Sequence, residues 1–135
     1  MSRLPKALLA ASLGSIAFNL LLLVAFRPLV INPAMPLQAL SAGPVVTLTL
    51  MGVIGATAVY WLLRLTLRSP VKPFAWVSLA VLLLSFIPDY EIIGVTSGRF
   101  AGGNAGSALV LMAMHVAAAL VIVPSLTLIW GAREA

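Results

Sequence analysis

AGSALVLMAMHVAAALVIVPSLTLIW, residues 105–130, contains no aspartate, glutamate, lysine or arginine, and its single ionisable side chain is His115. As a helix these 26 residues rise about 39 Å, enough to cross the roughly 30 Å of hydrocarbon in a bilayer. Nothing in the stretch alternates apolar with polar residues as a barrel strand would. Its peptide groups must therefore be satisfied within a helix.

Three further blocks appear on working outward. Residues 7–26 carry no charge between Lys6 and Arg27. Residues 44–67 open on Pro44, suited to a first helical turn, and stay uncharged as far as Arg64. Residues 73–88, between Lys72 and Asp89, form a short block that must stand nearly upright or borrow flanking residues. The expected fold is all-α: an integral membrane four-helix bundle, one transmembrane domain over 1–135, with helices at about 7–26, 44–67, 73–88 and 105–130. Composition agrees. Only 8% of residues are charged and 62% are hydrophobic, whereas a soluble domain needs about 25% charge to stay in water.

Proline punctuates the blocks. Pro5, Pro28, Pro33, Pro36, Pro70, Pro73 and Pro88 are read at or beyond block edges, and Pro124 alone as internal, where it should kink the fourth helix. A cleaved signal peptide is the rival reading of the first block, but that apolar run is longer than an ordinary signal core. Arg3, Lys6, Arg64, Arg68, Lys72 and Arg133 fall on one side, against Arg27 and Arg99 on the other. The positive-inside rule then places both termini in the cytoplasm, and Trp61, Trp76 and Trp130 gather as interface anchors toward the same face. Arg64 is expected to snorkel to that surface, with Arg68 and Lys72 meeting anionic headgroups. The localisation implied is a cell membrane crossed several times.

Several function classes drop out. The net charge of +5 is spread over helix ends and not over one polar face, which argues against nucleic acid. Cysteine is absent, so disulfides, thiol catalysis and cysteine-based metal sites are excluded. One histidine with no carboxylate expected inside the bilayer cannot assemble a zinc site, and no cofactor motif is present. Asp89 and Glu91 are read as solvated acids at an outer helix end near Arg99, without a catalytic role. The Pro-rich but apolar 27–43 segment is expected to lie along the outer interface or cap the bundle, and the glycines of the 89–104 loop to act as flexible punctuation.

Each helix carries a stripe of small or polar residues: Ser12, Ser15 and Asn19; Thr49, Gly52 and Ala56; Ser78, Ser85 and Asp89; and Ala108, His115, Ala118, Ala119 and Ile122. Such stripes ordinarily form the seam where helices pack in lipid. His115 stands out, because an ionisable group inside a span marks a functional site by default. The candidate ligand or proton-relay site joins His115 to Asn19 at similar depth, extended outward by Ser85 and Asp89. The bland alternative is a neutral histidine hydrogen-bonded for packing.

The stretches FAWVSLAVLLLSFIPD from Phe74 and ALVLMAMHVAAALVIVP from Ala108 resemble an uncharacterised bacterial family of four-helix membrane proteins, a domain of unknown function. Carrying the resemblance are Ser85 to Pro88, Met114 to Ala118 and, more weakly, Pro44 to Thr47. It implies the architecture and heightens interest in His115, without supplying a mechanism. Small multidrug exporters have a similar size but use a glutamate in the first helix, where this chain has Asn19. Dual-orientation fluoride channels do not fit the basic asymmetry, and quinone reductases of the vitamin K type need paired cysteines. Two classes remain. One is a non-enzymatic membrane component that binds a protein partner, a second copy, a lipid or a small apolar ligand. The other is a proton- or solute-coupled transporter using His115.

Overall fold

The computed structural model describes residues 3–131, so Arg133 and its share of the basic asymmetry lie outside the described residues. All regular structure among them is helical: α1 (Leu4–Val30), a 3-10 turn (Gln38–Leu40), α2 (Ala42–Thr66), α3 (Val71–Glu91) and α4 (Ala105–Pro124), which continues as a π-helix over Ser125–Trp130. All four are long and apolar enough to cross a membrane.

Two expected boundaries move, for one reason. Pro28 and Pro88 lie inside α1 and α3, not beyond them. Breaking a helix at either proline would free several peptide groups within oil, whereas running through costs one hydrogen bond near a terminus. α3 thereby grows from the expected short block to 21 residues, about 30 Å, and becomes a full span. At Pro124 the helix does not stop. It changes to i→i+5 bonding, with the Gly131 amide donating to Leu126 at 2.9 Å. A π segment is one recognised way of absorbing an irregularity within a helix.

The helices make an incomplete ring. α1 packs most extensively on α4, α2 flanks α1, and α3 leans on α4 while barely touching α2. Only 6% of the most apolar window of α3 is buried, so this helix is a peripheral rod. Two apolar clusters fill the interior. One, toward the α1–α2 loop, joins Leu23, Leu37, Leu40, Val45, Ile92, Ala108, Val110 and Met114. The other, toward the basic end, joins Ala7, Ala11, Val53, Tyr60, Phe74, Ile122 and Leu126. Buried Ser15, Asn19 and Thr49 are the polar residues that α1 and α2 contribute to this interior.

The 27–43 segment does cap the bundle. Its Leu37 and Leu40 are buried in the apolar cluster with Leu23, Val45 and Ala108, and Arg27 Nε donates to the Leu40 carbonyl at 2.6 Å. Asn104 ties the cap down. Its Oδ1 accepts from the Ser107 amide at 2.9 Å, completing a capping box on α4, while Nδ2 donates to the Val30 carbonyl at the end of α1 at 2.7 Å. The 92–104 loop closes against the same cap, with Gly94 and Gly102 donating to Gly103 and Val95, both at 3.0 Å. Gly102 has φ +88°, and a Cβ there would lie 1.8 Å from the Met35 carbonyl oxygen. Some of these glycines are thus contact points and not loose punctuation.

Gly98 has a similar φ of +76° but open space around it. Gly98→Ala should therefore cost only left-handed strain, about 1 kcal/mol, and Gly102→Ala roughly twice that or more, because a backbone carbonyl must also move. Thermal unfolding of the two variants in detergent checks this; equal shifts in Tm would contradict the close packing of the two loops.

Candidate functional site

The site lies where the ring is open. Between α2 and α3, with α4 as floor, runs a groove of about 380 Å³. Gly52, Gly55 and Ala56 line it from α2, Val77, Val81 and Leu82 from α3, and Ala118 and Ala119 from α4. Neither Gly52 nor Gly55 has any atom within 4 Å of where a Cβ would stand. Small residues on two helices leave room that no neighbour fills. The stripe on α2 consequently divides: Thr49 turns into the core while Gly52 and Ala56 face the groove.

The polar side chains lining the groove are Ser78, Ser85 and His115. Ser85 Oγ donates back to the Leu82 carbonyl at 2.6 Å, an arrangement that removes its hydroxyl hydrogen from play. His115 sits ten residues into α4, about 15 Å below the start of that helix. Its Nδ1 is 2.9 Å from the Leu111 carbonyl and 2.9 Å from Asp89 Oδ2. A carbonyl oxygen can only accept, so Nδ1 must carry the hydrogen. That hydrogen is directed at Leu111. Asp89 Oδ2, although at ion-pair distance, receives no directed hydrogen and has no hydrogen-bond partner among the described residues. The short separation and the missing bond are compatible: the contact is electrostatic and not a linear hydrogen bond. Nε2, on the opposite edge of the ring, makes no hydrogen bond to a described residue.

Asp89 is therefore not the solvated terminal acid expected from the sequence. It is 6% exposed, inside α3, eighteen residues and about 27 Å from the start of that helix. The misreading follows from ending the helix at Pro88. Once α3 runs through that proline, Asp89 turns onto α4 at the level of His115, and its ion-pair partner is His115 and not Arg99. The imidazole is the accessible member, with 43% of its side chain exposed against 8% for the acid.

Asn19 does not join this pair. Its Nδ2 donates to Thr49 Oγ1 at 3.0 Å, and Thr49 in turn donates to the Val45 carbonyl at 2.6 Å. Asn19 is 3% exposed, and its Oδ1 is buried without a partner among the described residues. The expected four-residue site thus separates into a groove-side set of His115, Asp89 and Ser85 and a core link between α1 and α2. Thr49 was visible as part of a stripe, but nothing in the sequence marked it as the partner of Asn19.

The expected interface anchors also take two forms. Trp61 and Trp76 are exposed on the lipid-facing surface, about a turn and a half from the ends of α2 and α3. Trp130 turns inward. Its ring meets Tyr60 edge-on at 5.5 Å, and the Arg64 guanidinium lies 4.8 Å from its centroid while Nη1 donates to its carbonyl at 3.1 Å. Arg64 thus clasps α2 to the end of α4. Among the described residues no cluster of three metal-ligating side chains occurs.

These features define a small membrane protein of four apolar helices with an acid–imidazole pair beside a lipid-facing groove. The chain belongs to a family of unknown function, DUF6069, which matches residues 1–129. Neither the curated proteins nor the solved structures provide a match.

The contact between His115 and Asp89 makes an energetic claim. A double-mutant cycle of His115→Ala and Asp89→Ala, followed by unfolding in detergent, should give a coupling of about 1 kcal/mol, within the range for polar contacts between membrane helices. Strict additivity would mean that the two groups do not interact.

Proposed function

We propose that the protein is a non-enzymatic membrane component that takes an apolar chain from the bilayer into the groove between α2 and α3, placing the polar end of that ligand at His115. The observation that carries this reading is the groove itself: about 380 Å³, apolar on three sides, with His115 on its wall. Binding sites for small molecules typically have this size and this balance of apolar wall to few polar groups. The exposure of α3 supports entry from the side, through hydrocarbon and not through water. A lipid or another amphipathic molecule is the ligand class that meets such an opening. Nε2 of His115 offers it one polar contact, as donor or acceptor according to protonation.

A second reading is favoured by one observation. A transport cycle needs a titratable group with a partner, and Asp89 beside His115 is such a partner. In this alternative the protein couples proton or solute movement to the pair, as an oligomer, since four helices enclose little space.

We infer further that the termini face the cytoplasm of a bacterial cell. The resemblance to a bacterial family supports the setting, and Lys6, Arg64, Arg68 and Lys72 at one end against Arg27 and Arg99 at the other support the orientation. The chain lacks cysteine, so single replacements can report on this. An impermeant maleimide added to intact cells should label Ser97→Cys and spare Ser69→Cys; the reverse pattern would invert the topology.

For the groove, Gly52→Leu and Ala118→Leu fill its space. Mass spectrometry of lipid extracts should find a stoichiometric amphipathic molecule with the purified wild type and roughly tenfold less with the filled variants, the loss of about 1.4 kcal/mol of binding. Equal retention would remove the ligand reading, and a co-purifying subunit lost with the same variants would put a partner helix in the groove. Proton or solute flux in vesicles that disappears in His115→Ala would favour the transporter.

A further inference from the structure

A second cavity, of about 280 Å³, opens at the basic end, where α2 turns into α3 and α4 finishes. It is lined by Tyr60, Arg64, Arg68, Ser69, Val71 and Gly131, among others. The Tyr60 and Phe74 rings, 4.8 Å apart, stand between it and the groove, since Tyr60 lines the one and Phe74 the other.

We propose that this cavity binds a phosphate group. Three features converge on an anion. Two guanidinium side chains line the cavity, and the acids among the described residues, Asp89 and Glu91, lie at the far end of α3. Arg64 is held in place by the Trp130 carbonyl and ring, and the bond to that carbonyl uses one of its five N–H donors. α3 begins here behind Pro70, with no side-chain cap and no acid in its first turn, so its first amides lack intrahelical partners and carry the positive end of the helix dipole at the cavity that Pro70 and Val71 line. Behind them Tyr60, fully buried, has a hydroxyl with no partner among the described residues. That hydroxyl lies against Gly131, where a Cβ would come within 2.3 Å of it, so a glycine at 131 leaves the phenol room beside the cavity that both residues line. A phosphate oxygen is the acceptor that guanidinium, amide and phenol donors share.

The phosphate can belong to an anionic lipid or to a soluble molecule. The cavity is set at the headgroup end of the bundle, with exposed Trp61 and Trp76 a little deeper on the same helices and half-exposed Leu67 and Val71 on its rim. Basic pockets between helices at this depth are where lipid phosphates bind.

The test uses the full chain purified in an uncharged detergent and titrated with three probes: dioctanoylphosphatidylglycerol, dioctanoylglycerol and inorganic phosphate. Phosphatidylglycerol should bind saturably and dioctanoylglycerol at least tenfold more weakly. Displacement by inorganic phosphate at millimolar levels assigns the site to soluble phosphates; resistance to it assigns the site to a lipid headgroup. Arg68→Gln should weaken binding about tenfold and Tyr60→Phe about threefold, as expected for a charged and a neutral hydrogen bond. Arg99→Gln, which removes the same charge at the opposite end, should leave affinity unchanged. Tyr60→Phe keeps the ring packing and so remains informative if Arg68→Gln fails to fold. Equal binding of the two dioctanoyl probes, or affinity indifferent to Tyr60→Phe and Arg68→Gln, overturns the proposal.

Discussion

A peptide group in hydrocarbon has no water to turn to, and the rest of this structure follows from that cost. It keeps α1 and α3 helical through Pro28 and Pro88 and carries α4 beyond Pro124 by a change of helical pitch. It also governs the side chains. The hydroxyls of Thr49, Thr57, Ser125 and Thr127 each donate to the carbonyl four residues earlier, and His115 does the same through Nδ1. With so many polar atoms satisfied locally, the buried exceptions gain meaning. Among the described residues they are Asn19 Oδ1, Tyr60 Oη and Asp89 Oδ2. Two of the three border an open space or the residue that lines it.

The molecule divides by how completely it is packed. α1, α2 and α4 share both apolar clusters, the Asn19–Thr49 bond links α1 to α2, and two tied loops close their far end. α3 adds little to that core. Its inward face supplies Ser78, Ser85 and Asp89, and the space it leaves against α2 is the groove. At the basic end Arg64, Trp130, Tyr60 and Phe74 form a clasp of rings and charge, of which Tyr60 and Arg64 line the second cavity.

Much of this was legible in the sequence, because length and charge-free runs report directly on membrane spans. The four helices and the singularity of His115 came from that signal, while the Pro-rich, apolar 27–43 segment pointed to either an interfacial strip or a cap, of which the cap is found. What failed was local. Proline was read as a boundary, which holds in water but weakens in lipid, and that reading shortened the third helix and left Asp89 in solvent. Depth alone paired Asn19 with His115; helix rotation, which depth does not encode, sends Asn19 to Thr49 instead. The Asn104–Ser107 capping box is written in the sequence as Asn-x-x-Ser before an apolar run, but the neighbouring glycines are the louder signal there. The groove was beyond reach, since small-residue stripes look alike whether a neighbour fills them or not.

The acid–imidazole pair exists only because α3 continues through Pro88 and sets Asp89 against His115. The chain has one aspartate and one histidine, so isotopic labelling of those two residue types yields a single pair of sites. Solid-state NMR of the protein in lipid bilayers, with ¹⁵N in histidine and ¹³C in the aspartate carboxyl, measures their dipolar coupling. A direct coupling between Nδ1 and the carboxyl carbon, stronger than that to Nε2, is the predicted result. No coupling to either ring nitrogen would contradict it, returning Asp89 to the water outside and dissolving the site.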